Sequence, residues 1–244
     1  MAAGKKRHRI DLLLVERGLA ESMEKAQALL MAGQVYVEGS RVSKAGALVP
    51  RDAALEVKEG LPYVSRGGIK LAHALDAWGL DVSGRVALDV GASTGGFTDC
   101  LLQRGARKVY ALDVGRGQLH HRLRQDPRVV VMERVNARYP FSLPDAVDLV
   151  VVDVSFISLT LVLPPVFRHL HPKGRLVALV KPQFEARRQR VGRGGVVKDS
   201  RVHAEVLAKM VAWSVDSGFR LRGLVPSPIL GDAGNREFFL LLQR

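Results

Sequence analysis

The chain has 244 residues, of which 47% are hydrophobic, so it can form one large domain or a medium and a small one. Its one cysteine, Cys100, excludes a disulfide framework and a cysteine-rich metal site. The formal net charge of +13 favours a polyanionic partner, and nucleic acid is the commonest such partner.

The positive charge is unevenly distributed along the chain. Residues 1–62 carry 10 basic and 8 acidic side chains, whereas residues 63–244 carry 27 and 16. The apolar run at 10–15 is too short and too polar for a signal peptide. The longest apolar region, 149–165, contains Asp153, so we expect no transmembrane helix. These features predict a soluble, cytoplasmic protein.

The first sixty residues have the pattern of a small separate unit. Apolar residues at helical spacing predict helices at 10–15 and 23–31, the second with Ser22 as its N-cap. Alternating apolar residues predict short strands at 35–37 and 55–57, with a tight turn at Glu38-Gly39. Two helices and a few short strands give a core that is marginal alone.

This N-terminal pattern resembles the S4 RNA-binding domain. The matching residues are Arg9, Asp11-x-x-Leu14, Ser22, Lys25-Ala26 and Gly33-Gln34-Val35-x-Val37-x-Gly39. In that family the second helix and the following turn present a basic face to structured RNA. The resemblance implies RNA contacts, and our candidates are Arg7, Arg9, Lys25, Arg41 and Lys44. An ordinary solvated side chain is the alternative for each of them.

Pro62 and the glycines at positions 60, 67 and 68 mark a boundary. We expect domains at 1–62 and 69–244, joined by a linker at 63–68, and apolar spacing predicts a helix at 69–78. Lys70 falls in the first turn of that helix, where its charge opposes the helix dipole. Another interaction is therefore expected to favour Lys70, although a solvated lysine is the alternative.

A strand and a glycine-rich turn then follow, and the rest of the chain is organised around them. Residues 86–90 predict a buried strand, and residues 97–102 predict a helix capped by Ser93 or Thr94. The turn lacks the lysine of a phosphate-binding loop and the second glycine of a dinucleotide fingerprint. Its pattern, Asp-x-Gly-x-x-x-Gly-Gly, matches the loop that binds S-adenosylmethionine, with an ordinary strand-to-helix turn as the alternative. The cofactor-binding candidates here are Asp89, Gly91, Ser93, Gly95, Gly96 and Phe97.

Strands and helices alternate through the remainder of the chain. Further strands are predicted at 109–112, 129–132, 149–152, 176–180, 221–225 and 238–242, and a helix at 204–217. This alternation predicts an α/β fold with a doubly wound, mostly parallel, seven-stranded sheet. Ligands of such sheets bind at the carboxyl ends of the strands.

Polar residues follow several of these strands directly. Asp113 is placed to bind a ribose diol, or else to cap a turn, and Asn136 is placed for the edge of an adenine base. Asp153 and Lys181 are costly beside apolar strands unless they are paired. They predict either a structural ion pair or a site that removes a proton from a hydroxyl group.

From Tyr63 onward the chain resembles the FtsJ-type ribose 2′-O-methyltransferases, and with the S4 unit in front it resembles the TlyA (hemolysin A-like) family. The motifs are Tyr63-Val64-Ser65-Arg66-Gly67-Gly68-x-Lys70-Leu71, Asp89-Val90-Gly91-Ala92-Ser93-Thr94-Gly95-Gly96-Phe97-Thr98, Asp153-Val154-Ser155-Phe156-Ile157-Ser158, Lys181-Pro182-Gln183-Phe184-Glu185 and Gly234-Asn235-x-Glu237-Phe238. The resemblance implies a Rossmann-like class I methyltransferase domain. It also implies that the protein methylates cytidine 2′-hydroxyls in 16S or 23S ribosomal RNA, or in both.

The resemblance further implies a Lys-Asp-Lys-Glu catalytic tetrad at Lys70, Asp153, Lys181 and Glu237. Lys181 would take the proton from the ribose hydroxyl with the help of nearby Lys70, while the two carboxylates orient the lysines. The implied cofactor is S-adenosyl-L-methionine, and the implied partner is ribosomal RNA or a ribosomal subunit. The resemblance implies no metal, no membrane and no obligate protein partner.

The segment 187–201 carries six basic side chains and three glycines. It predicts either a mobile basic loop that closes over the RNA backbone or a solvated loop. Further RNA-contact candidates are Arg66, Arg187, Arg188, Arg190 and Arg193. Two other classes stay open, namely a non-catalytic RNA-binding factor and a membrane-active cytolysin, although no segment suited to a membrane is apparent.

Overall fold

The computed structural model describes residues 7–58 and 60–244. The chain divides into two compact units, Met1–Leu61 and Pro62–Arg244. The division falls in the segment where proline and glycine predict a boundary. Within the described residues, the helices are too short or too polar to cross a membrane.

The N-terminal unit contains two helices and five three-residue strands among its described residues. They are β1 (Arg7–Arg9), α1 (Ile10–Glu16), α2 (Met23–Met31), β2 (Val35–Val37), β3 (Ser40–Val42), β4 (Leu48–Pro50) and β5 (Leu55–Val57). β2 pairs with both β3 and β5 in antiparallel fashion. The predicted N-cap of α2 is confirmed, since Ser22 Oγ accepts a hydrogen bond of 3.2 Å from the Lys25 amide.

The pairing of β1 with β4 is a feature that the sequence pattern did not predict. Arg7 lies opposite Pro50 and Arg9 lies opposite Leu48. A strand of three residues with two arginines has no apolar alternation to detect. The small hydrophobic core of this unit consists of Ile10, Leu13, Leu14, Ala20, Ala26, Leu30, Val35 and Val49.

The C-terminal unit is built on one seven-stranded sheet. Its strands are β6 (Val86–Val90), β7 (Lys108–Asp113), β8 (Val129–Glu133), β9 (Val147–Val152), β10 (Leu170–Val180), β11 (Arg220–Pro226) and β12 (Phe238–Gln243), in the order β11-β12-β10-β9-β6-β7-β8. β6 to β10 pair in parallel, and β12 runs antiparallel to both of its neighbours. The prediction of a mostly parallel seven-stranded sheet is confirmed.

Helices cover both faces of this sheet. They are α3 (Arg66–Ala77), α4 (Gly96–Gln103), α5 (His121–Arg124), α6 (Leu159–Phe167), α7 (Pro182–Glu185) and α8 (Ser200–Asp216), with short 3-10 turns at Arg188–Arg190 and Arg193–Gly195. Alternate residues of β9 point into two separate cores. Val150 and Val152 pack in the core with α6 and α8, whereas Leu149 and Val151 pack in the core with α3 and α4.

Two local predictions differ from the structure. The helix predicted to begin at residue 69 begins at Arg66, so part of the segment expected to be a linker is helical. Gly68 allows close packing, because a Cβ atom on it would lie 2.2 Å from the Tyr63 ring. The predicted capping of α4 by Ser93 or Thr94 is wrong. The N-cap is Gly95, which is in the left-handed conformation, and no side chain caps that end.

Candidate active site

The strand register brings three members of the predicted tetrad to one edge of the sheet. Val152 lies beside Val90 on one side and Ala178 on the other, so Asp153 follows directly at the carboxyl edge. Val180 is paired with Phe238 of the antiparallel β12, so Lys181 and Glu237 reach this same edge. Parallel strands with one antiparallel neighbour therefore gather residues from distant parts of the chain.

Lys181 and Asp153 form an ion pair at this edge. Nζ of Lys181 lies 2.7 Å from Oδ1 of Asp153, and both side chains are largely buried. Oδ1 of Asp153 accepts no hydrogen bond, so its contact with the Lys181 ammonium is purely electrostatic. The directed hydrogen bond of the ammonium goes to Oγ of Ser155, at 2.8 Å. Ser155 lies within a motif of the sequence but was not among its site candidates.

Lys70 and Glu237 form the second ion pair. Lys70 Nζ donates a hydrogen bond of 2.6 Å to Oε2 of Glu237, and the two side chains are 11% and 3% exposed. Because α3 begins at Arg66, Lys70 lies in its second turn and not in the predicted first turn, and the Glu237 carboxylate is the interaction that favours its charge there. The four tetrad candidates thus make two separate pairs of lysine and carboxylate.

Glycine is required for different structural reasons at different positions of the turn after β6. Gly91 has φ +85°, and a Cβ atom on it would lie 2.3 Å from the carbonyl oxygen of Asp153. It therefore allows the turn to approach the backbone that carries the ion pair. Gly95 and Gly96 instead allow close packing, the first against Leu119 and Leu123 and the second against the start of α3.

A cavity of about 400 Å³ opens beside this turn. Four cofactor candidates line it, namely Gly91, Ser93, Asp113 and Asn136, together with Asp153, Ser155 and Phe156. Asp89, Gly95, Gly96 and Phe97 are not among its lining residues. The Phe97 side chain lies in the core, with its ring centroid 6.1 Å from that of Phe239.

Asp113 holds two segments of the cavity wall together. Its Oδ2 accepts a hydrogen bond of 2.8 Å from the amide of Ser93, and its Oδ1 accepts one of 2.7 Å from Gly115. Ser93 adopts φ +49°, which an L-residue rarely does without such support. Each carboxylate oxygen keeps a further acceptor site. On the same wall, Asn136 Oδ1 accepts a hydrogen bond of 3.0 Å from the Arg138 amide.

Asp89 is buried completely at the end of β6. Oδ2 accepts a hydrogen bond of 2.7 Å from Thr98 Oγ1, whereas Oδ1 has no hydrogen-bond partner. Burial raises the pKa of this carboxyl group to about 7, and the charges of Asp153 and Asp113 act in the same direction. A buried carboxyl group with a strongly raised pKa is typical of a functional site, although Asp89 itself does not line the cavity.

Phe156 is an exposed aromatic residue at the rim of the cavity. Its side chain is 90% exposed, its φ is +65°, and its ring centroid lies 5.1 Å from that of Phe184. Both the exposure and the left-handed backbone are unfavourable for phenylalanine, and such strain is typical of functional sites. Apart from the motif in which Phe156 lies, no sequence pattern predicts a functional role for this residue.

Glu185 connects the two segments that carry the Lys181–Asp153 pair. It lies in α7, four residues after Lys181, and accepts hydrogen bonds of 2.6 Å from Ser158 Oγ and 2.7 Å from the Leu159 amide. Burial raises the pKa of Glu185. Through these two hydrogen bonds, Glu185 places its carboxyl group at the N-terminus of α6, where the helix dipole favours negative charge.

The RNA-contact candidates of the N-terminal unit are exposed side chains. They are Arg7, Arg9, Lys25, Arg41 and Lys44. Arg9 is bound in bidentate fashion to Asp11, at 2.6 and 3.1 Å, which lowers the pKa of that buried carboxyl group. This residue therefore also has a structural contact within its own unit.

The RNA-contact candidates of the C-terminal unit have different surroundings. Arg187, Arg188, Arg190 and Arg193 are all exposed on the basic segment. Arg190 lies 3.4 Å from Glu205 and 3.8 Å from Asp199. Arg66 donates a hydrogen bond of 2.7 Å to the Leu230 carbonyl and contacts Asp232. Arg66 thus holds the loop before β12.

Two family models match the chain. The FtsJ-like methyltransferase model matches residues 63–244, and the S4 domain model matches residues 8–54. The solved structure of a hemolysin candidate from Streptococcus thermophilus has 45% sequence identity and a TM-score of 0.76. The match covers 99% of this chain and 90% of that one.

Curated relatives match over nearly the whole chain. The 16S/23S rRNA (cytidine-2′-O)-methyltransferase TlyA of Mycobacterium tuberculosis is 46% identical over 242 residues, which cover 98% of this chain and 90% of the relative. Hemolysin A of Brachyspira hyodysenteriae is 42% identical over 236 residues, which cover 94% and 97%. The resemblance inferred from the motifs is therefore confirmed, and the chain belongs to the TlyA family of FtsJ-like methyltransferases with an S4 domain.

Proposed function

We propose that this protein transfers the methyl group of S-adenosyl-L-methionine to the 2′-hydroxyl of a cytidine in ribosomal RNA. The observation that carries the proposal is that two ion pairs, Lys181–Asp153 and Lys70–Glu237, lie at the carboxyl edge of the sheet. The relative named 16S/23S rRNA (cytidine-2′-O)-methyltransferase supports the choice of substrate. Such a substrate implies that the protein acts in the cytoplasm.

The cavity beside Gly91 suits the cofactor in size and charge. Its volume of about 400 Å³ lies within the range of small-molecule sites, roughly 300–1,000 Å³. Asp113 and Asp153 line it with carboxyl groups, which favour a cationic ligand such as a sulfonium. We assign Asp113 to the ribose diol and Asn136 to the adenine edge. When bound, the cofactor supplies an activated methyl group.

The remaining cofactor candidates act through the shape of the turn. Gly91 and Ser93 line the cavity, while their backbone N–H groups donate within the protein, to the Leu112 carbonyl and to Asp113 Oδ2. Gly95 and Gly96 allow α4 to begin close to its neighbours, and Phe97 secures that helix in the core. We therefore assign direct contact to Gly91 and Ser93, and support of the turn to the other three.

Lys181 is the base in this proposal. In its neutral form it would take the proton of the 2′-hydroxyl onto Nζ, which would leave the oxygen able to accept the methyl group as the bond between that methyl group and the cofactor sulfur breaks. Ser155 and Asp153 fix the position of Nζ before the transfer, at 2.8 and 2.7 Å. Asp153 then stabilises the ammonium that has formed. No residue forms a covalent bond to the substrate.

Lys70 stabilises the charge that develops on the reacting oxygen. Glu237 holds its ammonium through the hydrogen bond of 2.6 Å, so the cation is already oriented before the substrate arrives. Preorganised donors of this kind need no rearrangement during the reaction. The two pairs together therefore separate the tasks of proton removal and charge stabilisation.

Exposed basic and aromatic side chains provide the RNA contacts in the proposal. The S4 unit and the four arginines Arg187, Arg188, Arg190 and Arg193 bind phosphates, which gives affinity without sequence preference. Phe156 offers an exposed ring on which the base of a flipped nucleotide can stack. The distance between Phe156 and Phe184 allows both rings to contribute to one apolar surface.

The test is transfer of labelled methyl groups to ribosomal subunits and to free RNA from cells that lack this modification. Nuclease digestion and mass spectrometry of the product should identify 2′-O-methylcytidine. A label on a base, or on a nucleoside other than cytidine, would contradict the proposed reaction. Binding of the RNA without any transfer would support a non-catalytic RNA-binding factor instead.

A further inference from the structure

Asn235 is a buried amide that the reaction described above does not use. It is 1% exposed and lies two residues before Glu237, in the loop between β11 and β12. Its Oδ1 accepts a hydrogen bond of 2.9 Å from the Val197 amide, and its Nδ2 donates one of 2.9 Å to the Gly195 carbonyl. Both partners belong to the basic segment 187–201. Asn235 therefore uses both ends of its amide to hold that segment.

The C-terminal half of the basic segment is folded around this contact. Val197 is buried, and its carbonyl lies 2.9 Å from Nε2 of His203 in α8. The Gly192 amide donates a hydrogen bond of 3.0 Å to the Val196 carbonyl, which closes a turn. The arginines before and within this turn are exposed. The segment thus has an anchored part, at 195–197, and a basic part that faces solvent.

The same loop is held from the other side by α3. Arg66 donates to the Leu230 carbonyl, and Lys70, one helical turn later, donates to Glu237. The Gly231 amide donates a hydrogen bond of 2.9 Å to the Asn235 carbonyl, which closes the loop between these points. Asn235 consequently connects the basic segment to the loop that carries one end of the Lys70–Glu237 pair.

We propose that Asn235 is a positioning residue that fixes the arginines of the segment 187–201 relative to Glu237. An RNA backbone bound by those arginines is then held in register with the Lys70–Glu237 pair. The inference rests on the proposed function, because it assumes that RNA is the ligand of the arginines. An amide is required because one end must accept and the other must donate.

The first variant is Asn235→Asp, which keeps the size and the acceptor for Val197 but turns an oxygen towards the Gly195 carbonyl. If this variant does not fold, Asn235→Ser replaces it, since a hydroxyl is too short to span both partners. The matched control is Asp145→Asn, which alters contacts to Lys108 and Tyr110 near the amino ends of the strands. Full-length proteins are compared by tryptic cleavage, methyl transfer and cofactor binding.

We expect Asn235→Asp to be cleaved faster by trypsin at Arg187, Arg188, Arg190 or Arg193. The KM for ribosomal RNA should rise by about tenfold, with a weaker dependence on salt, because fewer arginines reach the phosphates together. The Kd of the cofactor should stay unchanged, since neither Asn235 nor the basic segment lines the cavity. The control should show none of these changes.

A variant that loses thermal stability but keeps the KM and the salt dependence of the wild type would overturn the proposal. Faster cleavage without a change in KM would overturn it as well, because the anchor would not matter for RNA. If the wild type methylates no RNA, the proposed function itself fails. In that case, filter binding of RNA tests the role of Asn235 by itself. Weaker and less salt-dependent binding of RNA by Asn235→Asp would support the role, and unchanged binding would refute it.

Discussion

Lys70 and Glu237 are 167 residues apart in the chain, yet Nζ of one lies 2.6 Å from Oε2 of the other in a buried position. The lysine lies in the second turn of α3, and the glutamate precedes the antiparallel strand β12. The contact connects a helix on one face of the sheet to the edge at which the cavity opens. It gives both side chains the charged partner that burial requires.

Removal of either partner of this pair should destabilise the protein. Lys70→Met or Glu237→Leu leaves an uncompensated buried charge, and we expect a loss of about 3–5 kcal/mol in the free energy of unfolding. The double variant restores an uncharged interior and should recover most of that loss. Urea denaturation of the three variants measures the effect. Methyl transfer should be lost in all of them, because the oriented cation is absent.

The double variant supplies the control for this experiment. A double variant that is folded and inactive separates the catalytic role from the structural one. If the single variants unfold at the same urea concentration as the wild type, the pair is not buried as described. An active double variant would exclude Lys70 from the reaction.

The buried carboxyl group of Asp89 predicts a dependence of stability on pH. Its pKa is about 7 in the folded protein, against an ordinary value of 3.8, so folding takes up a proton at pH values between these two. The stability that depends on this group is therefore present below about pH 4 and is lost as the pH rises to about 7. Asp89→Asn removes this titration and keeps an acceptor for Thr98.

Urea denaturation of the wild type and of Asp89→Asn at several pH values measures this effect. The stability of the variant relative to the wild type should increase from pH 4 to 7 and stay constant above that. A difference that is independent of pH would show that Asp89 keeps an ordinary pKa. A decrease with rising pH below about pH 4, with no change above it, would instead mean that the folded protein stabilises the carboxylate.

Gly91→Ala tests the close approach of the turn to Asp153. The new Cβ atom would lie 2.3 Å from the Asp153 carbonyl oxygen, so the turn must move away from the strand end. We expect cofactor binding to weaken by at least about tenfold, equivalent to about 1.4 kcal/mol, and calorimetry measures it.

The matched control for this prediction is Gly117→Ala. Gly117 also has a positive φ, +72°, but its Cβ atom would have no neighbour within 4 Å. It therefore reports the cost of the backbone conformation alone. Equal losses of cofactor binding in both variants would attribute the effect to backbone strain, and the contact with Asp153 would then have no special role.

The sheet and the glycine turn were predictable because their signals are local. Apolar runs mark the strands, and the spacing of Asp89, Gly91, Gly95 and Gly96 marks the turn. Asp153 and Lys181 were predictable because each directly follows an apolar run. The assignment of Lys70 and Glu237 came from the family resemblance, since no local pattern relates two residues so far apart.

The parts that were missed depend on packing between distant segments. Ser155 and Asn235 are polar residues in loops, and only the fold brings the first to Lys181 and the second to Val197. The wrong cap of α4 has a local cause, because Gly95 takes the left-handed conformation and leaves Ser93 outside the helix. A glycine in such a turn can end one element and begin the next.

The most direct test of the account compares cofactor binding and methyl transfer in Lys181→Ala, Ser155→Ala and the wild type. The account predicts that Lys181→Ala binds S-adenosylmethionine like the wild type but transfers no methyl group to unmodified ribosomal RNA. Ser155→Ala should lower kcat by about five- to tenfold, the loss of one hydrogen bond. Substantial methyl transfer by Lys181→Ala, with 2′-O-methylcytidine as the product, would contradict the role of Lys181 as the base.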